Sequence, residues 1–530
     1  MTIDVQEIII DGVSGQVPTK AEKYIFVGTC SKGIENKIYT FGKNSDYKKE
    51  LGEGRLTDKI KDFFSVLQEE AIVIAIPSEK DIAGEIREII FEGTGKATYT
   101  VTGNSLCDTD IVIQILSGGA LNEATAKISI DGGDNWMSPF TMPVDGKVNV
   151  EIAGIVVTFA NFTTPSQSFV TGDRYFLKTI SPKSGITALI EAIEVGLELY
   201  TPRYVYVCQD TDSLHWVTFG MKADELFSLH KPTYFITDTR EKIEAIKRNG
   251  TITISTKIIT GLSKTDDFVE GCSVTGDGIP TNTIITKILS PTSVEINNNA
   301  TKTQTISLLI KEDISNYVNS LVKERQSFSH RFVAVCAGYG EVIEKTGISQ
   351  VRNYSGVMAG TIASARVNES IGKVKKFPIS NVKLPQGWTN THSTILNDAG
   401  FVVLRRLEGL NSLYFARGNT LAEDTSDYKY IEIVDTVFKA IRLGRVGALK
   451  DLQSEGDSAG ITNAHAEIIT AISTMTSASP KELDSFEVII PPNQDIVNNG
   501  LVFNLVLYGI PIIKNMKLNF MFKYANPFEE

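Results

Sequence analysis

Cysteine is scarce: Cys30, Cys107, Cys208, Cys272 and Cys336 are the only five in 530 residues. Their number is odd, they are widely scattered and no CxxC pair occurs, so the sequence predicts buried free thiols and neither a zinc site nor a disulfide framework. Positive charge is in deficit too, with 52 Lys and Arg against 63 Asp and Glu and a net charge of −11. A nucleic-acid binder gathers Lys and Arg to release phosphate counterions, and the short run Lys373 to Lys376 does not reverse the balance, so no nucleic-acid partner is expected. Long hydrophobic runs are missing. No window approaches the roughly 20 apolar residues that span a bilayer, which predicts no membrane insertion. The first eleven residues alternate Ile3, Val5, Ile8 and Ile10 with acids and have no cationic leader or apolar core of signal-peptide length, so synthesis in the cytoplasm is expected.

Catalytic signatures are equally scarce. His215, His230, His330, His392 and His465 show no HExxH or other metal spacing, and neither GxSxG nor a catalytic-cysteine signature occurs. Gly276-Asp277-Gly278 lacks the Gly-Lys-Ser/Thr of a phosphate loop, and no GxGxxG opens a helix after a strand. Asp131, Asp134 and Asp173 could be imagined around calcium, but Asp-Gly-Gly-Asp between strands reads first as a hairpin turn. The expectation is no catalytic residue, no metal and no cofactor.

What the chain does have is an organisation that changes several times. At 42% hydrophobic and 22% charged, 530 residues exceed what one core usually needs, and three or four domains are expected. Residues 21–91 read as strand, helix, strand: Tyr24 to Gly28, an amphipathic helix carrying Ile60, Phe63, Phe64 and Leu67, and the buried-strand run Ala71 to Ile76 ended by Pro77. The same grammar returns over 183–249 and 312–385, so these three stretches are assigned to one α/β domain. Between them, 92–182 and 250–311 abandon helices for short Thr-, Val- and Ile-rich strands with Gly-Asn, Gly-Gly and Asp-Gly turns, predicting two inserted all-β modules of sandwich or barrel type. Residues 386–530 form a further α/β region with an amphipathic helix from Tyr430 to Leu443.

Both ends of the chain alternate. Ile3, Val5, Ile8 and Ile10 at the start and Met516, Leu518, Phe520 and Phe522 at the end have the period-two signature of strands with one buried face. Such strands either close the protein's own sheet or add to a neighbour's.

Three stretches carry a family resemblance: Val13 to Gly28 with Phe41-Gly42 and Tyr47 to Gly52, Gly387 to Arg405, and Gly409 to Leu421 with Tyr428 to Val434. Together they resemble the contractile phage tail sheath family, as a divergent member. Tyr414-Phe415 stand where Trp-Gly is usual, and Val434-Asp435 replace the paired arginines that often open the following helix. The resemblance implies an α/β (α+β) sheath core made of N- and C-terminal parts, with residues 1–20 and about 500–530 as arms pairing with neighbouring subunits. It implies a homo-oligomer of stacked rings or a helical sheath, with an inner tail tube protein, baseplate and tail terminator proteins as partners. Its setting would be the host cytoplasm during assembly and a virion tail or contractile particle when mature. Arg442 and Arg445 become candidate inner-tube contacts, although they equally suit helix-end charges complementing the dipole. A tail-fibre or surface adhesin with β-sandwich binding modules is the alternative.

Overall fold

Tyr24 to Val27 and Ala71 to Ile76 are apolar on both sides of the pleat, a composition suited to strands covered on two faces. The computed structural model, which describes residues 22–344 and 346–522, places them side by side in one sheet. In chain order its strands are β1 (Glu22–Gly28), β2 (Tyr39–Phe41), β3 (Ala71–Pro77), β4 (Tyr204–Thr211), β5 (Tyr234–Thr239) and β6 (Val333–Cys336), arranged β2-β3-β1-β4-β5-β6. All neighbours are parallel except the edge pair β2 and β3.

Period-two alternation sorts the side chains to two helix layers. On one face, Phe63 of α1 (Arg55–Val66) meets the rings of Tyr24 and Phe26. On the other, Gly196 of α2 (Ile186–Leu199) lies against Ile25 and Ile76, and Phe219 of α3 (Ser213–Ser228) stacks on Phe235. Asp212 caps α3, and Asp313 caps α4 (Ile314–Arg325), each accepting backbone N–H bonds of the first turn. Helix α5 (Ser355–Ser364) is buried along its whole length and packs against α1. A Cβ on Gly356 would lie 2.6 Å from Asp62 Cβ, and one on Gly360 would lie 2.4 Å from the Phe63 carbonyl oxygen. The two helices approach so closely because these residues have no side chain.

Between β3 and α2 the described chain contains only strands and single 3-10 turns, in a six-stranded and a three-stranded sheet around Ile111, Ile113, Val157, Phe159 and Tyr175. It leaves and returns at one place, where Ile82 and Lys183 exchange backbone hydrogen bonds of 3.1 and 2.9 Å. Between β5 and α4, residues 246–311 form another six-stranded sheet around Ile252, Ile259, Val294 and Leu308. Beyond α6 (Asn390–Asp398), Val402 bridges Cys336 in parallel and Leu421 N–H donates to the Val333 carbonyl, so the outer edge of β6 is covered.

The chain divides into two compact units, residues 1–434 and 435–530. The second holds most of α7 (Ile431–Leu449), α8 (Ser458–Ser477) and a hairpin of Ser485–Ile489 with Asn504–Tyr508. The weakly patterned sequence from 454 to 479 hides a 20-residue helix: Asp457 caps it, and Ala464, Ile468, Ile472 and Met475 make a narrow buried stripe. Small and hydroxyl residues on its other sides dilute the period. Gly447 lets α7 approach α8, since a Cβ there would lie 2.8 Å from the Glu467 carbonyl oxygen. Ile3, Val5, Ile8 and Ile10 lie outside the described residues.

Gly360→Ala forces α1 and α5 apart and is expected to lower stability by about 1–3 kcal/mol in urea unfolding, as overpacking does. Wild-type stability in this variant would contradict the close approach.

Candidate functional site

In an open parallel sheet, successive connections that leave in opposite directions open a crevice at the carboxyl ends of the strands. Here that point lies between β1 and β4. The crevice is filled by charge. Lys59 of α1 forms an ion pair with Asp238 at the end of β5 (2.6 Å) and donates to the Asn353 carbonyl (2.6 Å) and Ser355 Oγ (2.8 Å). Asp62, one turn later, accepts a two-pronged bond from Arg352 (3.0 and 2.6 Å). At the start of the same helix, Arg55 donates to Asp108 (2.9 Å) and Ser181 (2.8 Å) and contacts Asp210, which also holds Lys183.

Burial and pairing compete at each of these groups. Burial raises the Asp238 and Asp58 carboxyls despite the nearby Lys59 and Arg352. At Asp108 burial is outweighed by the Arg55 guanidinium and the Ser181 N–H, which hold the carboxyl down to about 2. Arg352, although buried, stays charged beside Asp62 and Asp58. Lys183 is pushed down to about 8, by burial and then by Arg55. These charges are matched to one another. The arrangement clamps α1, the strands of 85–180 and the 349–355 segment to the sheet, and it aims no free nucleophile at solvent.

The other chemistry-bearing residues have structural partners. All five cysteines are free and buried, and burial raises the thiols, Cys107 to about 12 and Cys272 to about 11. Asp131 accepts from Ser129 and Asn135, Asp173 from the N–H groups of Thr94 and Val170, and Asp134 from Ser349, so the three serve turns and a contact to the 349 strand. His215 pairs with Asp212, His330 with Asp224, His392 caps α6 with Thr389, and His465 bonds the Val488 carbonyl. No group of three or more His, Cys, Asp or Glu among the described residues is arranged to hold a metal ion, and no described helix is long and apolar enough to cross a membrane.

The second unit presents a different surface. Its two-stranded hairpin exposes Ile489, Leu505, Val506 and Tyr508, and the chain beyond it joins no sheet among the described residues. Met516 is 74% exposed, Leu518 68%, Phe520 90% and Phe522 83%. Arg442 is half-buried and Arg445 exposed; both precede the last turn of α7, which holds no basic residue. The sequence patterns do not flag the residues of the charged crevice in the first unit. A signal was present: Lys59 and Asp62 interrupt the apolar face of an amphipathic helix, beside Ile60 and Phe63.

Residues 2–255 and 295–419 match the family model described as DUF2586, N-terminal domain, and residues 427–527 match DUF2586, C-terminal domain. No curated protein matches the chain. Among solved structures it is similar to a sheath tail protein from Desulfitobacterium hafniense, with TM-score 0.45 and 12% identity over 96% of this chain and 100% of that one. It is also similar to the sheath complex of an extracellular contractile injection system in the contracted state, with TM-score 0.48 and 10% identity over 98% and 97%. A third is the helical sheath of the anti-feeding prophage in the contracted state, with TM-score 0.44 and 11% identity over 98% and 99%.

Removing one member of a buried pair strands the other. Arg352→Met is expected to cost about 3–5 kcal/mol, and Asp62→Leu with Arg352→Met to regain most of it, in urea unfolding of the single and double variants. Additive losses would contradict the pairing. Asp108 has a depressed carboxyl, so its contribution is present above about pH 4 and is lost as pH falls toward about 2. Asp108→Asn is therefore expected to lie about 2 kcal/mol below wild type at pH 6, with the gap closing over that range; a constant gap would contradict the assignment.

Proposed function

The chain belongs to the DUF2586 family, and we propose that it is the structural subunit of a contractile tail sheath, polymerising around an inner tube and contracting to drive that tube through a target envelope. The observation that carries the reading is the carboxyl-terminal surface. A lone two-stranded hairpin is marginal in water and has two open edges. The segment after it alternates Met516, Leu518 and Phe520 with Asn515, Lys517 and Asn519, and these apolar side chains, with Met521 and Phe522, stand exposed. Burying each large one gains about 1.5–3 kcal/mol, and a neighbour's open edge supplies the backbone bonds of an added strand. A second copy of the chain offers both.

On this reading residues 1–20, with Ile3, Val5, Ile8 and Ile10, form the second arm. Residues 21–91, 183–249 and 312–385 are one α/β domain, 92–182 and 250–311 are inserted β modules that decorate the outside, and 386–530 is the sheath core with its arm. The resemblance of Gly387 to Arg405 and Gly409 to Leu421 to sheath sequence supports this division. Arg442 and Arg445 face the inner tube. Contraction is a rigid-body change between an extended and a compact helix, driven by differences in intersubunit contact and needing no nucleotide. Baseplate and tail terminator proteins bound the assembly, which forms in the host cytoplasm and works as part of a tail or contractile particle.

Negative-stain microscopy of the concentrated protein, beside a variant ending at Tyr508 that keeps the hairpin, tests the proposal. Tubes or stacked rings are expected from the full chain and discrete monomers from the truncation. Monomers in both samples, with or without inner tube protein, would overturn the sheath reading and favour an adhesin.

A further inference from the structure

Beside the clamp, the carboxyl edge of the sheet holds a partly open cavity of about 280 Å³. Its walls come from the residues where the chain enters and leaves the first set of β-sheets, from 240–244 after β5, and from 264–269 of the second set. Five of its carboxylates are engaged: Glu85 by Arg248 (2.6 Å) and Lys264 (2.8 Å), Asp210 by Arg55 and Lys183, Glu244 by Lys242 (2.8 Å), Asp266 by Lys264 (3.6 Å) and Glu241 by the Asn353 N–H (3.3 Å). Its cations are paired as well, with one exception. Arg87 has a buried Nε with no partner and forms no side-chain hydrogen bond or ion pair among the described residues. Its backbone N–H donates to the Lys178 carbonyl (2.9 Å), so the two basic residues are neighbours on the same wall, and the carboxylate nearest Lys178 is Asp110 at 3.5 Å. On the facing wall, Asp267 gives one oxygen to Arg248 (2.9 Å), while its Oδ1 is buried without a donor.

We propose that this cavity binds a hydrogen phosphate group. A half-buried guanidinium whose Nε is enclosed without an acceptor gains from pairing with an anion, and Arg87 with Lys178 offers the donors that phosphate oxygens accept. The orphaned Asp267 Oδ1 is an acceptor, which suits a P–OH and is met by neither sulfate nor chloride. The location adjoins the crevice where open parallel sheets receive ligands, and the volume admits a phosphate with some of its water. Every residue in the site belongs to the first unit.

The test uses the full chain in chloride, sulfate or phosphate buffers of equal ionic strength, read by thermal unfolding and by calorimetric titration with inorganic phosphate. Wild type is expected to bind phosphate at one site, at least tenfold more tightly than sulfate, and to melt higher in phosphate. Arg87→Gln and Lys178→Gln should each weaken phosphate binding at least tenfold, and Arg87→Gln should melt no lower than wild type in chloride. Three results would each overturn the proposal: phosphate acting no more strongly than sulfate or chloride, binding undiminished in both variants, or an Arg87→Gln protein destabilised in chloride. The last would show that Arg87 is already neutralised by the carboxylates around it.

Discussion

Helix α1 carries Arg55, Asp58, Lys59 and Asp62 into the interior of the first unit, and the arrangement of that unit depends on how Arg55, Lys59 and Asp62 are matched. An isolated buried charge costs several kcal/mol, whereas a matched, hydrogen-bonded pair costs little. Lys59 finds Asp238 on β5, Asp62 finds Arg352 before α5, and Arg55 finds Asp108 from the first set of β-sheets together with Asp210 on β4. Each partner comes from a different stretch of chain, between 53 and 290 residues away. A slip of α1 by one turn would strand all three charges together. Apolar packing between Phe63 and the rings of β1 tolerates such slips far better, because burial of area has no direction.

The two units solve opposite problems. In the first, the sheet is covered on both faces by helices and at its β6 edge by the 402 and 421 segments, and the charged groups that clamp α1 are paired. In the second, a narrow stripe on α8 and the close approach at Gly447 make a small core, while the hairpin and the chain after it leave large apolar side chains in water. Monomeric surfaces rarely carry apolar residues so closely spaced unless something covers them. An assembly subunit needs this division: a rigid body that keeps its shape and an adhesive margin that joins it to its neighbours.

Much of the sheet was legible because its strands are unbroken apolar runs, as at Ala71 to Ile76 and Arg203 to Cys208, and because Pro77 and glycine turns mark where they stop. Helix α8 was not, since a stripe of four residues among Ser, Thr and Ala gives too weak a period. The second strand of the hairpin starts at Asn504, just after Val502, whose backbone N–H and carbonyl the Gln494 side-chain amide takes up. The terminal alternation of Met516 to Phe522 was plain from sequence, and its exposure is what the fold adds. The charged crevice was hidden for a different reason. Its members are single residues scattered from Arg55 to Arg352, and only the topology brings them together; the one local clue is a Lys and an Asp on the apolar face of α1.

The central claim, that residues 509–522 find their partner on another copy of the chain, is tested most directly by amide hydrogen exchange on the dilute protein and on concentrated, assembled material. The account predicts rapid exchange from Ile512 to Phe522 in the dilute sample and strong protection of alternate amides in the assembly. Protection already present in the monomer, or absent from the assembly, would contradict it.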